Sequence, residues 1–212
     1  MKKIVLLGDS IRGGYDKYVK HAFCGIAEVY YPKENCRFAS YILRHLPDWK
    51  RDFDCGDDVD LVHWNAGLWD DLVMADGKKH TSIELYGEYI QRVCDVIRLL
   101  FPRAKVIFAT STPVREELFS GLMKRYNSDT REYNAIAVKT VKKNGGEVND
   151  LYTAVEGCPD EYYSDSTHLY TPKGTGLLAE RVVDAIERAL NIKARDVDFE
   201  ELFLNPDSVT GI

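Results

Sequence analysis

The sequence has 212 residues, of which 45% are hydrophobic, and this length fits one α/β domain with one sizeable core. A net charge of −6 and a pI near 5.4 argue against a nucleic-acid partner, because a protein that binds nucleic acid normally carries a basic face. No stretch of the sequence approaches the roughly 18 consecutive apolar residues of a membrane span.

The N-terminal segment begins with two lysines, as a secretory signal peptide does, but its apolar run is short. The run covers residues 4–7 only and ends at Gly8, against the ~7–15 apolar residues of a signal sequence. We therefore predict a first β-strand here and a cytoplasmic protein. The five cysteines are odd in number and widely spaced, without a metal-ligand pattern, so we predict reduced thiols and no bound metal.

Short apolar runs alternate with helical patterns along the chain. Five runs predict buried parallel strands, at residues 3–7, 27–31, 60–64, 105–109 and 147–151. Apolar side chains at three- and four-residue spacing predict helices between them, at residues 14–23, 36–49, 83–100, 133–141 and 172–189, the second ending near Pro47. Such alternation predicts a three-layer α/β/α sandwich over residues 1–190.

The tail at residues 191–212 loses helical periodicity. It nevertheless carries five apolar side chains that need cover, those of Val197, Phe199, Leu202, Phe203 and Leu204. They are expected to pack either against the body of the domain or on a second subunit, so a homo-oligomer is one of the two alternatives.

Polar residues follow three of the five predicted strands. Asp9 and Ser10 follow the first strand, Asn65 follows the third, and the loop after the fifth ends in Asp165 and His168. Because the carboxyl ends of parallel strands form one rim where ligands bind, we expect these three segments to converge there.

Ser10, His168 and Asp165 have the chemistry of a catalytic triad. A serine hydroxyl is a poor nucleophile until a base takes its proton. The base in turn needs a partner that holds its tautomer and stabilises its cation. An Asp-x-x-His spacing lets one loop present both partners. The helix predicted after Ser10 would place this residue near a helix N-terminus, which favours developing negative charge.

Together, the blocks at residues 8–14, 65–70 and 165–168 resemble the SGNH (GDSL-type) hydrolase family. The first block carries Gly-Asp-Ser directly after a strand, and the last carries Asp-x-x-His before the final helix. The resemblance implies a flavodoxin-like fold with a five-stranded parallel sheet in the order 2-1-3-4-5. It also implies ester hydrolysis without a metal or other cofactor, and an oxyanion hole built from the Ser10 N–H, a glycine N–H after the second strand and an asparagine side chain after the third.

Two of these features depart from the family pattern. The third block of the family reads Gly-x-Asn-Asp, whereas here Trp69 stands at the asparagine position, so we predict Asn65 as the substitute donor. The glycine after the second strand is also missing, and a backbone N–H near Cys36 is the predicted replacement. Trp69 is expected to line the substrate pocket. Arg12 either contacts a substrate oxygen or lies in solvent.

The resulting functional hypothesis is a serine esterase that removes a small acyl group, acetyl in particular, from a carbohydrate or another small polar alcohol through an acyl-enzyme. Two alternatives stay open. One is a lysophospholipase or thioesterase with a longer acyl site. The other is a non-catalytic binding protein on the same scaffold, which the altered second and third blocks motivate.

Overall fold

Five parallel strands form one sheet in the order β2-β1-β3-β4-β5. The computed structural model describes residues 1–209. The strands are β1 (Lys2–Leu7), β2 (Ala27–Tyr30), β3 (Leu61–Trp64), β4 (Lys105–Ala109) and β5 (Glu147–Asn149). The predicted fold class and strand order are therefore confirmed, and each predicted strand lies within two residues of its observed bounds.

Helices cover both faces of this sheet. They are α1 (Ser10–Ala22), α2 (Ala39–Phe53), α3 (Ile83–Leu100), α4 (Asn127–Lys143), α5 (Leu151–Val155), α6 (Pro172–Leu190) and α7 (Phe199–Leu204). Side-chain caps explain where several of them begin. Asp9, Ser82 and Thr171 accept hydrogen bonds from backbone N–H groups in the first turns of α1, α3 and α6.

The central strand β1 is buried on both of its faces. Ile4 and Leu6 pack in one layer with α1 and α6, whereas Val5 and Leu7 pack in the other layer with α2, α3 and α4. Because successive side chains of a strand point to opposite faces, a strand with a helical layer on each side must be apolar at every position. This explains the continuous run of apolar residues by which the strand was predicted.

Three helices extend well beyond their predicted bounds. Helix α4 begins at Asn127, six residues before its predicted start, and ends at Lys143. Helix α1 begins at Ser10 and not at Gly14, because Asp9 caps it four residues earlier. Helix α2 continues through Pro47 to Phe53. Proline has no backbone N–H, so inside a helix it removes one hydrogen bond and normally destabilises the helix. Here Trp49, which is 5% exposed, packs into the core beyond the proline and donates a hydrogen bond from Nε1 to the Glu34 carboxylate.

The tail packs against the body of the same chain. It forms the short helix α7, contrary to the prediction that helical structure is lost after Asn191, with Asp198 accepting a hydrogen bond from the Glu201 N–H at its start. Phe199 and Leu202 are buried in the layer that contains α6. The last predicted tail residues, 210–212, lie outside the described residues.

No helix within residues 1–209 is long and apolar enough to cross a membrane. All five cysteines are free thiols, as predicted.

Gly8 is the point where β1 turns towards α1. A Cβ atom at Gly8 would lie 1.9 Å from Oδ1 of Asn65 and 2.9 Å from Cβ of Arg12. Asn65 and Arg12 are both 2% exposed, so neither side chain has room to move away. The close approach of Asn65 to the backbone therefore requires glycine at this position.

We expect Gly8→Ala to destabilise the protein, by about 1–3 kcal/mol, because the added methyl group overpacks a closed site. Gly121→Ala is the matched control, since a Cβ atom there meets nothing within 4 Å. Urea unfolding measures both variants. A Gly8→Ala protein as stable as the Gly121→Ala protein would contradict the close approach described above.

Candidate active site

Ser10 is the first residue of α1, and only Gly8 and Asp9 separate it from the end of β1 at Leu7. Asp9 caps the helix by accepting a hydrogen bond from the Ile11 N–H at 2.9 Å. The first N–H groups of a helix have no acceptor within the helix, and they carry the positive end of its dipole. The Ser10 hydroxyl therefore lies where a developing negative charge is stabilised.

His168 lies between Ser10 and Asp165. The distance from His168 Nε2 to Ser10 Oγ is 2.8 Å, and the distance from His168 Nδ1 to Asp165 Oδ2 is also 2.8 Å. Asp165 Oδ1 accepts two further hydrogen bonds, from the N–H groups of Thr167 and His168. The three residues predicted from the sequence thus form one continuous chain of hydrogen bonds, across a separation of 158 residues.

The carboxylate of Asp165 is held in its charged form. Partial burial acts to raise the pKa of Asp165, but the N–H groups of His168 and Thr167 and the adjacent imidazole outweigh it, so this pKa lies below its usual value. A charged carboxylate can accept a hydrogen bond from Nδ1–H and leaves Nε2 free to accept a proton from Ser10.

Two residues near this chain of hydrogen bonds were not predicted from the sequence. Arg125, whose side chain is 12% exposed, donates from Nε to the Leu68 carbonyl and from Nη1 to Thr167, so it links the loop after β3 to the loop that carries His168. Tyr170 stacks on His168. No motif marks either residue; two positions beyond His168, Tyr170 could have been suspected only from its place in the chain.

Asn65 lies directly after β3, close to Gly8 and Asp9. It is 2% exposed, its N–H donates to the Leu7 carbonyl at 3.1 Å, and its Oδ1 has no hydrogen-bond partner among residues 1–209. Burial raises the pKa of Asp9, while the Asn65 side chain and the Ile11 N–H oppose that rise. The role of Asn65 in an oxyanion hole stays a prediction.

The backbone N–H of Cys36 is already occupied. It donates to the Gly8 carbonyl at 3.0 Å, which leaves no hydrogen for an oxyanion, contrary to the prediction. The Cys36 thiol is buried, and burial raises its pKa to about 11. Cys36 therefore joins the loop after β2 to the start of the site, and the second predicted donor is lost.

Arg12 is 2% exposed, so the alternative that it lies in solvent is wrong. It is one of the residues that line the groove beside Ser10, and a contact with a substrate oxygen stays a prediction. Its guanidinium forms an ion pair with Asp16 and donates to the carbonyls of Pro32 and Glu34, at 3.0 and 2.6 Å. Longer contacts of 3.4 Å reach the Gly8 carbonyl. These bonds use all of its N–H directions inside the protein. Arg12 thus braces the loop after β2 against α1.

A groove of about 870 Å³ opens beside Ser10, between α1 and the segment that follows β2. Tyr170 lines it next to Ser10, and Tyr31, Phe53 and Phe203 line it farther away. Trp69 is not among the described residues that line this groove, and its place in a substrate pocket stays a prediction. It lies half-buried in the turn after β3.

The two aspartates that follow Trp69 are part of the scaffold. Asp70 accepts a hydrogen bond from the Ala39 N–H at 3.0 Å and so caps α2, and Asp71 accepts one from the Thr130 hydroxyl at 2.6 Å. Both are fully buried. Burial raises the pKa of Asp70 to about 7 and that of Asp71 to about 6.

Within residues 1–209, no group of three or more His, Cys, Asp or Glu side chains is arranged to hold a metal ion.

We expect Arg12→Met to destabilise the protein by about 3–5 kcal/mol, because Asp16 would be left buried without its partner. Arg44→Met is the matched control. It removes a second arginine from an ion pair of the same i,i+4 spacing, but Arg44 is 71% exposed, so little change is expected. Urea unfolding compares the two, and equal losses would contradict the bracing role of Arg12.

Asp70 makes the stability of the protein depend on pH. The pKa of Asp70 rises from its usual value of about 3.9 to about 7 on folding. Between these values the folded state binds the proton and the unfolded state does not, so this contribution to stability is present below about pH 4 and is lost as the pH rises to 7. The loss is on the order of 2–4 kcal/mol.

The variant Asp70→Asn removes this titration and keeps an acceptor for the Ala39 N–H. We expect the free energy of unfolding of the variant, relative to that of the natural protein, to increase between pH 4 and pH 7. Urea unfolding at several pH values measures the difference. A difference that stays constant across this range would contradict a raised pKa at Asp70.

Solved structures of several hydrolases share this fold. The lipase/acylhydrolase from Enterococcus faecalis has a TM-score of 0.71 and 22% identity, over 93% of this chain and 100% of that chain. A GDSL-like lipase from Bacteroides thetaiotaomicron has a TM-score of 0.69 and 18% identity, over 89% of each chain. An acetyl xylan esterase has a TM-score of 0.68 and 18% identity, over 87% of this chain and 99% of that chain.

No protein-family model matches the sequence, and no curated protein matches it. The similarity is therefore one of fold, and the chain has the fold of GDSL-like lipases and acylhydrolases.

Proposed function

We propose that the protein is an SGNH (GDSL-type) serine esterase, with Ser10 as the nucleophile. The observation that supports this most strongly is the chain of two 2.8 Å hydrogen bonds from Ser10 Oγ through His168 to Asp165. The position of Ser10 at the start of α1 adds a second argument, because the developing oxyanion meets the positive end of the helix. Neighbours of the same fold are described as lipases, acylhydrolases and an acetyl xylan esterase.

The proposed reaction has two stages. In the first stage Ser10 Oγ attacks the ester carbonyl while His168 Nε2 takes its proton. The bond from the carbonyl carbon to the alcohol oxygen then breaks, and His168 returns the proton to the leaving alcohol. In the second stage a water molecule gives a proton to His168 and attacks the acyl carbon of the acyl-enzyme. The bond from this carbon to Ser10 Oγ then breaks, His168 Nε2 returns the proton to Oγ, and the acid is released. Asp165 holds the imidazole and stabilises its cation in both stages.

The oxyanion hole we propose uses the Ser10 N–H and the Asn65 side chain. Cys36 cannot take part, because its N–H is bonded to the Gly8 carbonyl. One missing donor typically costs about 10²–10³ in kcat. We therefore infer a modest turnover on simple esters unless the substrate brings a further contact.

Acetyl esters of a carbohydrate or a similar alcohol are the substrates we propose, and the acetyl xylan esterase neighbour supports this class. A longer acyl chain is the second candidate, because the groove beside Ser10 carries the apolar side chains of Val29, Phe53 and Phe203. Acetyl and octanoyl p-nitrophenyl esters distinguish the two, since an apolar acyl site gains about 0.8 kcal/mol per buried methylene. A cytoplasmic location and assembly into a homo-oligomer stay predictions.

We expect Ser10→Ala to lower the rate of p-nitrophenyl acetate hydrolysis at least about 10³-fold, because the nucleophile is removed. Ser128→Ala is the matched control, because Ser128 is an exposed serine on α4 and makes none of the hydrogen bonds that join Ser10, His168 and Asp165. Equal rates for the Ser10→Ala and natural proteins would rule out Ser10 as nucleophile. A phosphonate ester that reacts with active serines should label the natural protein at Ser10, and a protein that stays unlabelled would favour a non-catalytic binding role.

A further inference from the structure

Tyr170 contacts both the proposed base and the residue that carries the nucleophile. Its ring stacks on the imidazole of His168, with 4.7 Å between the ring centres and 26° between the ring planes. Its hydroxyl donates a hydrogen bond to the carbonyl oxygen of Ser10. One side chain therefore connects the loop after β5 to the first residue of α1.

The hydrogen bonds of His168 leave one motion of its ring unrestrained. Asp165 fixes Nδ1 and Ser10 fixes Nε2, but the imidazole can still rock about the axis through these two nitrogens. Polar neighbours restrain it weakly, because the side chains of His168 and Asp165 are 27% and 51% exposed and water screens their interaction. A ring stacked against one face of the imidazole opposes this rocking directly.

Gly14 provides the space for the Tyr170 ring. A Cβ atom at Gly14 would lie 2.6 Å from Cε1 and 2.9 Å from Cδ1 of Tyr170. Gly14 lies one helical turn after Ser10, so the ring rests on the same helix end that presents the nucleophile. At the neighbouring Gly13, by contrast, a Cβ atom meets nothing within 4 Å.

We propose that Tyr170 is a positioning residue that holds the His168 ring at the correct tilt towards Ser10, with Gly14 giving its ring access to α1. This inference rests on the proposed function. Tyr170 takes no proton in the reaction. Burial raises the pKa of its hydroxyl to about 12, so it stays a hydrogen-bond donor to Ser10 throughout the neutral range. Its electron-rich ring face also lies against the imidazole when His168 carries the proton.

Tyr170→Leu and Tyr170→Phe test the proposal on p-nitrophenyl acetate. Misplacing a catalytic group by about 1 Å can cost about 10²-fold in rate, so we expect kcat of Tyr170→Leu to fall about 10²-fold. We expect KM to change less than about threefold, because the effect lies in the chemical step. Tyr170→Phe keeps the ring and should recover most of the rate, to within about tenfold of the natural protein. Equal kcat in the Leu variant, or a change in KM alone, would overturn the proposal.

Gly14→Ala displaces the Tyr170 ring without changing residue 170 itself, because the added Cβ atom would overlap the ring. We expect this variant to lose kcat by at least about tenfold more than Gly13→Ala, which makes the same change one residue earlier. In the Tyr170→Leu background, Gly14→Ala should cause little further loss, because the ring it displaces is gone. If Gly14→Ala lowers kcat by the same factor with and without Tyr170→Leu, it does not act through the Tyr170 ring, and this part of the proposal is overturned. Thermal unfolding of each variant separates misfolding from mispositioning.

Labelling of Ser10 by the phosphonate ester separates failure of this inference from failure of the proposed function. If the natural protein neither reacts with the phosphonate nor hydrolyses the acetate ester, the proposed function fails, and this inference with it. If the natural protein reacts and Tyr170→Leu reacts equally fast, the positioning role alone is overturned. Slower labelling of Tyr170→Leu and Gly14→Ala, with normal labelling of Tyr170→Phe, is the expected result.

Discussion

The short connection between β1 and α1 is the constraint on which the candidate site depends. Gly8 leaves the strand with Asn65 packed against its Cα, and its carbonyl accepts the N–H of Cys36. Asp9 caps the helix at once, and Ser10 begins it. Because only Gly8 and Asp9 lie between the strand and the helix, the sheet sets the position of the Ser10 hydroxyl.

Buried charged groups hold the loops around this connection. Arg12 pairs with Asp16 inside the protein and donates hydrogen bonds to two carbonyls of the loop after β2, while Asp70 caps α2 from the loop after β3. Burying a charge is costly unless it is paired or hydrogen-bonded. The raised pKa of Asp70 is the visible sign of that cost. These hydrogen bonds connect the loops that border Ser10 to helices α1 and α2.

The other half of the site is exposed, and it is held by different means. Asp165 and His168 lie in a loop at the rim, where backbone N–H groups orient the carboxylate and the carboxylate orients the imidazole. Arg125 ties this loop to the turn after β3, and Tyr170 ties it to α1. A buried nucleophile segment and an exposed acid–base loop therefore meet through a few side-chain contacts, each of which bears on the geometry of the proposed reaction.

The sequence by itself determined the strands, most of the helices and the three residues of the hydrogen-bond chain. These features depend on local patterns: an apolar run for a doubly covered strand, helical spacing for α3, and an Asp-x-x-His spacing within one loop. Parallel topology then brings the carboxyl ends of the strands to one rim, which is enough to place Ser10 near His168.

Only the tertiary structure decided what surrounds those three residues. Arg12 is a brace because the fold brings the carbonyls of Pro32 and Glu34 to it, 20 and 22 residues along the chain. The Cys36 N–H is occupied because the Gly8 carbonyl lies beside it. Helix α2 continues past Pro47 because the packing of Trp49 outweighs one missing hydrogen bond. The contact of Tyr170 with His168 and Ser10 likewise joins segments about 160 residues apart. Partnerships of this kind depend on which side chains the whole fold brings together, and spacing along the chain carries no record of them.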